Sequence, residues 1–274
     1  LTPQLVGTQY LSQAFGLDSV SRNIAQSVGP ALAGAVIAFT NPGAVFMLNA
    51  VSFVGILIVV RKLPTFSAQV ESASKINHVI KDGIKHVIHT AQLRNIALRL
   101  ALVLGATASL NAVMPVVAKK SLHVGSSGFG VLAGSLGVGS VLAVWLLPIL
   151  RKQVHPETLA MMASFVWATA AVGFAQSTLL LTAVPALLLC GATLMVLMNV
   201  LFSTFIALLP DHLRGRGSSI GMLMAWLGTS VGAFAWGFTA SSTSVRVALI
   251  ASAAVTAGIG VLNRVVLPLG AETN

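Results

Sequence analysis

From Thr158 to Pro210 the chain contains no Asp, Glu, Lys or Arg. At 1.5 Å per residue a single helix of that length would run about 80 Å, far beyond the roughly 30 Å hydrocarbon core of a bilayer. The segment must therefore divide, and Ala175-Gln176-Ser177-Thr178 is the only polar break within it. The rest of the chain cannot supply a charged coat for such a stretch. Only 8% of residues are charged, against about 25% in a soluble domain, and 56% are hydrophobic. This composition excludes an ordinary cytosolic enzyme and a disordered segment alike. Long charge-poor runs occur at Val20–Phe39, Ala44–Val60, Leu100–Ala118, Phe129–Leu150, Leu159–Gln176, Thr182–Leu209, Ile220–Ala240 and Val247–Leu262. Pro30, Pro115, Pro148 and Pro185 lie in or near these runs, which membrane helices tolerate. The runs lack the two-residue alternation of barrel strands. The expected class is all-α, a polytopic transmembrane helix bundle with eight spans.

The net charge of +10 and the pI near 11 would suggest nucleic acid in a soluble protein. Here the cations fall in short clusters between apolar runs, which is the pattern of membrane topology; no nucleic-acid partner is expected. Eight spans leave nine flanking segments. The odd-numbered ones hold thirteen of the sixteen Lys and Arg, and the even-numbered ones only Lys119, Lys120 and Arg246. The positive-inside rule then puts both termini in the cytoplasm. The long flanking segment Arg61–Arg99 carries Ile76, Val79, Ile80, Ile84, Val87, Ile88 and Ala91 at helical spacing, with Lys75, His78, Lys81, Asp82, Lys85 and His89 opposite. It reads as a basic amphipathic helix on the inner leaflet or against the bundle ends. His86 and His89 lack carboxylate or Cys partners at ligand spacing, so a solvated face is expected there rather than a metal site. Cys190 is alone, which forbids an intramolecular disulfide. The chain begins at Leu1 without an initiator Met, and is expected to be the C-terminal part of a longer protein.

Two runs share a pattern. Ser27-Val28-Gly29 with Gly34 matches Ser230-Val231-Gly232 with Gly237, six spans later. Small residues so spaced let helix backbones approach closely. An offset of six spans is what two six-helix halves related by a parallel repeat would give. Chance similarity between glycine-rich helices is the alternative. The segment Ala25-Gln26-Ser27-Val28-Gly29-Pro30-Ala31-Leu32-Ala33-Gly34 resembles the antiporter motif of major facilitator exporters, with Ala25 and Ala33 in place of two glycines. Ser19–Ile24, Phe46–Phe53, Gly83–Val87, Leu93-Arg94, Gly137–Gly139, Leu147–Lys152 and Pro210–Arg216 with Ser219 are similar, in this order, to the enterobactin-exporter-like, transmembrane secretion effector branch of that superfamily.

The resemblance implies that the eight spans are helices five to twelve of a twelve-helix transporter, with helices one to four of the same protein absent. Residues 1–62 would then end the N-terminal bundle, 63–95 would form a cytoplasmic linker, and 96–274 would form the C-terminal six-helix bundle. It implies a secondary active exporter in the cell membrane. Its partners would be the lipid bilayer, an amphipathic or siderophore-like small molecule, and protons as the coupling ion. Gly29, Pro30 and Gly34 would form the antiporter-motif helix. In the family, helices seven and ten line the cavity and five, eight and eleven flank it. Asn111, Asn199, Ser203 and Trp226 are the cavity candidates here. Ser and Thr hydroxyls can bond their own helix backbone, whereas the amides of Asn111 and Asn199 either face the cavity or bond another helix. Arg151, Lys152, Asp211, Arg214 and Arg216 would form cytoplasmic gate loops, or would simply obey the positive-inside rule. No carboxylate lies in the middle of a span, so the resemblance leaves any proton carrier to the absent helices. No motif of enzyme chemistry, metal or cofactor binding is present. The competing class is a truncated, non-transporting membrane remnant or scaffold. An ATP-driven permease is disfavoured, since no nucleotide-binding domain is attached.

Overall fold

Helix boundaries follow the polar punctuation of the chain. A computed structural model describes residues 42–62, 85–210 and 214–266. Its helices are α1 Pro42–Lys62, α2 Ala91–Thr107, α3 Ser109–Lys120, α4 Ser126–Gln153, α5 Pro156–Gln176, α6 Leu180–Ala207, α7 Arg214–Ser242 and α8 Val245–Val266. Among the described residues there is no β-strand. The charge-free segment divides at its polar break, with α5 ending at Gln176 and α6 opening at Leu180. At the other end of α5, His155 is the N-cap: its Nδ1 accepts from the Glu157 N–H, and Pro156 occupies the first turn, where its missing N–H costs nothing.

Six helical stretches are long and apolar enough to cross a bilayer: Ala91–Lys120, Ser126–Gln153, Pro156–Gln176, Leu180–Ala207, Gly217–Ser242 and Val245–Leu262. They correspond to the last six runs read from the sequence. Ala44–Val60 lies within α1, whose large apolar side chains are exposed along its length. Val20–Phe39, and most of the expected amphipathic linker helix, lie outside the described residues; residues 85–89 are helical. The connections after α4, α5 and α7 are only a few residues long, so successive spans run antiparallel. Two apolar clusters fill the bundle. One joins Leu93, Ile96 and Leu100 to Leu147, Leu159, Val200 and Phe205 at the end where α2 begins. The other joins Leu110, Leu132, Trp167, Phe174, Leu187 and Leu249 at the opposite end.

Glycine decides how the spans meet. A Cβ at Gly139 of α4 would fall on the Leu188 carbonyl of α6, and one at Gly191 on the Leu136 carbonyl. On α7, a Cβ at Gly228 would strike the Ala101 carbonyl and one at Gly232 the Gly105 carbonyl. These two crossings correspond: α4, second in the first group of three spans, packs on α6, and α7, second in the next group, packs on α2. Gly232, singled out by the Ser-Val-Gly repeat, is thus at a backbone contact. Gly237, the other half of that pattern, faces open space.

At Ala108 the helical hydrogen-bond ladder of the first span loosens, although the residue keeps right-handed helical dihedrals (φ −63°, ψ −18°). The Gly105 carbonyl accepts instead from Trp236 Nε1–H at 2.9 Å. Beyond this turn Ser109 and Ser252 share a 2.7 Å hydrogen bond that ties α3 to α8. Further on, Pro115 has no N–H for the Asn111 carbonyl.

Substitution should separate these glycines. Gly191→Ala and Gly232→Ala are each expected to destabilise the fold by about 1–3 kcal/mol through overpacking against backbone. Gly237→Ala is expected to change stability by less than about 0.5 kcal/mol. Titration of the protein with SDS in mixed micelles, followed by tryptophan fluorescence, measures the difference.

Candidate functional site

A cavity of about 220 Å³ opens where the first span loosens, between α2, α3, α4 and α6. Gly137 and Gly191 are among its lining residues, with Thr107, Leu110, Asn111 and Met114 on the facing span. Its hydroxyls are committed as donors. Thr107 Oγ1 bonds the Val103 carbonyl at 3.0 Å, and Ser140 Oγ lies 3.0 Å from both the Leu136 and Gly191 carbonyls. Their oxygens keep lone pairs free to accept. Asn111 adds a carboxamide and the carbonyl released by Pro115. Leu110, Met114 and Leu194 complete an apolar wall. The lining carries no charge. It suits a neutral polar group attached to an apolar body, and its volume fits part of a drug-sized ligand, for which pockets start near 300 Å³.

The candidate residues do not all meet here. Asn111 lines this cavity. Asn199 and Ser203 stand nearer the far end of α6, where Arg151 Nη2 donates to Ser203 Oγ at 2.7 Å and to the Asn199 carbonyl at 3.3 Å. Two residues assigned to the cavity and one assigned to a gate loop are thus neighbours. Trp226 is 64% exposed on α7 and does not line the cavity. Lys152 is exposed at the end of α4. Arg214 and Arg216 fall in the first turn of α7. Gly29, Pro30, Gly34 and Asp211 lie outside the described residues. The hydroxyls of Thr107, Thr204 and Thr229 bond carbonyls of their own helices, as their chemistry allows.

One polar element was not singled out in the sequence. Arg99 of α2 is 2% exposed and holds both oxygens of Glu157, at the start of α5, at 2.9 and 2.8 Å. Charge was read as the boundary of the first span, so Arg99 was counted with the flanking segment; the helix instead begins at Ala91 and encloses it. A signal was present. Ile96, Arg99, Leu100 and Val103 follow the spacing of one helix face, and all four are buried. That places a cation within the apolar stripe.

A profile of the family described as "Transmembrane secretion effector" matches residues 1–274. The chain belongs to this family of major facilitator transporters. Among curated proteins, this family member is 29% identical over 200 residues to the uncharacterized MFS-type transporter y4rN of Sinorhizobium fredii, covering 70% of the chain and 48% of that protein. It is 26% identical over 182 residues to the staphyloferrin A transporter of Staphylococcus aureus, covering 63% and 44%. The chain thus spans about half the length of these relatives. Each half of a major facilitator protein is built from two inverted three-span repeats. The corresponding crossings of α4 on α6 and of α7 on α2 have the form such a repeat requires.

Removing one partner of the buried ion pair leaves a charge without its counter-charge in the bundle, at a cost of about 3–5 kcal/mol. Arg99→Met and Glu157→Met are each expected to lower the unfolding midpoint markedly, and the double variant to recover much of the loss. A double-mutant cycle on SDS-unfolding midpoints measures the coupling.

Proposed function

We propose that this major facilitator protein is a secondary active exporter of amphipathic small molecules, siderophore-like products among them, using alternating access with protons as the exchanged ion. The observation that carries the reading is the uncharged cavity beside Ala108, where Thr107, Asn111 and Ser140 stand in an otherwise apolar wall. A loosened turn beside a proline exposes backbone carbonyls that, with the side chains around them, offer polarity to a solute inside the bilayer. Asn111 is the central contact in this reading, and Asn199, Ser203 and Trp226 act along the path to it. The name of the staphylococcal relative supports a siderophore-like cargo.

The chain is read as helices five to twelve of a twelve-helix protein. Residues 1–62 end the N-terminal bundle, 63–95 link the halves, and 96–274 form the C-terminal bundle. Gly29, Pro30 and Gly34 are assigned to the antiporter-motif helix. Arg151, Lys152, Asp211, Arg214 and Arg216 form the cytoplasmic gate. The charge asymmetry of the flanking segments supports both termini in the cytoplasm; the membrane we assign with it is the plasma membrane.

Everted vesicles carrying the full chain, with an imposed pH gradient, test the reading against a panel of amphipathic fluorescent dyes. Asn111→Leu is expected to lower the initial uptake rate about tenfold, the worth of one hydrogen bond to a desolvated group. Asn111→Ser should lower it less. An unchanged rate in Asn111→Leu removes the cavity from the pathway, and no uptake of any dye by correctly inserted protein overturns the exporter reading. Orientation is checked in a Cys190→Ala background, where Lys119→Cys should react with an impermeant maleimide only from outside and Lys152→Cys only from inside. The reverse labelling would invert the topology.

A further inference from the structure

Beyond the cavity, the α4–α6 pair carries a second polar feature of opposite character. Ser140 lines the cavity from α4, and Arg151 follows it by eleven residues, close to three full turns. Arg151 therefore lies on the helix face that walls the cavity, about 16 Å farther along. Its hydrogen bonds to Ser203 Oγ and the Asn199 carbonyl show that it reaches across to α6, the other wall. Both bonds use Nη2. They fix the guanidinium and leave Nε–H and Nη1 without a hydrogen bond among the described residues.

Charge balance sharpens the point. Among the described residues Glu157 is the one carboxylate, and Arg99 holds both of its oxygens. Among the described residues Arg151 hydrogen-bonds no carboxylate, and the exposed Lys152 beside it adds to the positive field. A cation that served only as a topology signal would extend freely into water. Arg151 is exposed, as Lys152 is, yet its Nη2 is docked on two oxygens of a neighbouring helix. Beside Asn199, the half-buried Met195, Met198 and Phe202 form an apolar shelf that can adapt its shape.

We propose that Arg151 is an anion-recognition residue: it takes an oxyanion, a carboxylate in the first instance, on an amphipathic molecule whose apolar part lies on the Met195–Phe202 shelf before the molecule enters the uncharged cavity. The inference rests on the transporter reading and adds a substrate class to it, amphipathic organic anions. The headgroup of an anionic phospholipid offers the same oxyanion chemistry, and the test separates the two.

The full chain in neutral phosphatidylcholine nanodiscs is titrated with 11-(dansylamino)undecanoic acid and with its methyl ester, read by dansyl fluorescence. The wild type is expected to bind the acid about tenfold more tightly than the ester, the scale of a charge-assisted hydrogen bond. Arg151→Gln should erase that preference and Arg151→Lys should keep part of it, since Lys retains the charge without the planar donors. Ser203→Ala leaves the charge in place and removes its anchor; it should fall between wild type and Arg151→Gln, and it decides the matter if Arg151→Gln does not fold. Phosphatidylglycerol in the nanodisc should leave the preference in place. If phosphatidylglycerol abolishes it, the site belongs to lipid headgroups and the proposal is overturned. Equal binding of acid and ester by wild type, or a preference that survives Arg151→Gln, also overturns it while leaving the transporter reading intact. Binding of neither probe counts against both.

Discussion

Lipid tails are as apolar as leucine, so the hydrophobic effect that drives a soluble core together gives membrane helices little reason to associate. What remains is the gain from close contact, and glycine is the residue that permits it. Without a side chain at Gly139, Gly191, Gly228 or Gly232, two pairs of spans approach until backbone touches backbone. The corresponding placement of α4 on α6 and α7 on α2 makes these contacts the frame on which the other helices are hung. Helices brought so near can then make bonds that need short range, such as Ser140 to the Gly191 carbonyl and Trp236 to the Gly105 carbonyl.

That same proximity makes the cavity affordable. A loosened turn in a lipid-exposed helix would leave carbonyls facing hydrocarbon, at several kcal/mol for each unsatisfied group. At Ala108 the loosened turn lies beside α7, whose indole takes up the Gly105 carbonyl, and beside α8, whose Ser252 meets Ser109. The irregular backbone is thereby confined to protein and to the cavity it lines. Below it, the apolar cluster around Leu100, Val200 and Phe205 and the Arg99–Glu157 pair hold the first span against its neighbours.

The spans themselves were legible because their signal is bulk: a run of apolar residues, a polar break at Ala175–Thr178, a proline at the first turn of α5. Asn111 was legible because an amide cannot satisfy itself within its own helix. The separation of Asn111 from Asn199 and Ser203 was not, because a family-level cavity places residues by helix and says nothing of depth along it. Arg99 was misplaced by a sound rule applied once too often, since a cation ends a span only if nothing inside the bundle can pair with it. Its partner Glu157 is 58 residues away, and a single sequence carries no mark of such a pairing. The glycines were visible as a pattern, yet only the crossing geometry distinguishes Gly232, against backbone, from Gly237, in the open.

The distance along the chain between Arg99 and Glu157 has a consequence for biogenesis. During synthesis α2 reaches the membrane before α5 exists. Without a counter-charge its guanidinium snorkels to the headgroups, since Arg99 stands about two turns from the start of α2. The first span of the bundle therefore starts shallow, anchored by Arg99 at the near interface. Only when α5 emerges, with Glu157 in its first turn, can that end be drawn into the apolar cluster around Leu93 and Ile96. The final depth of one helix is thus set by a residue translated 58 positions later, which makes the seating of α2 a late step in assembly although it is an early one in translation.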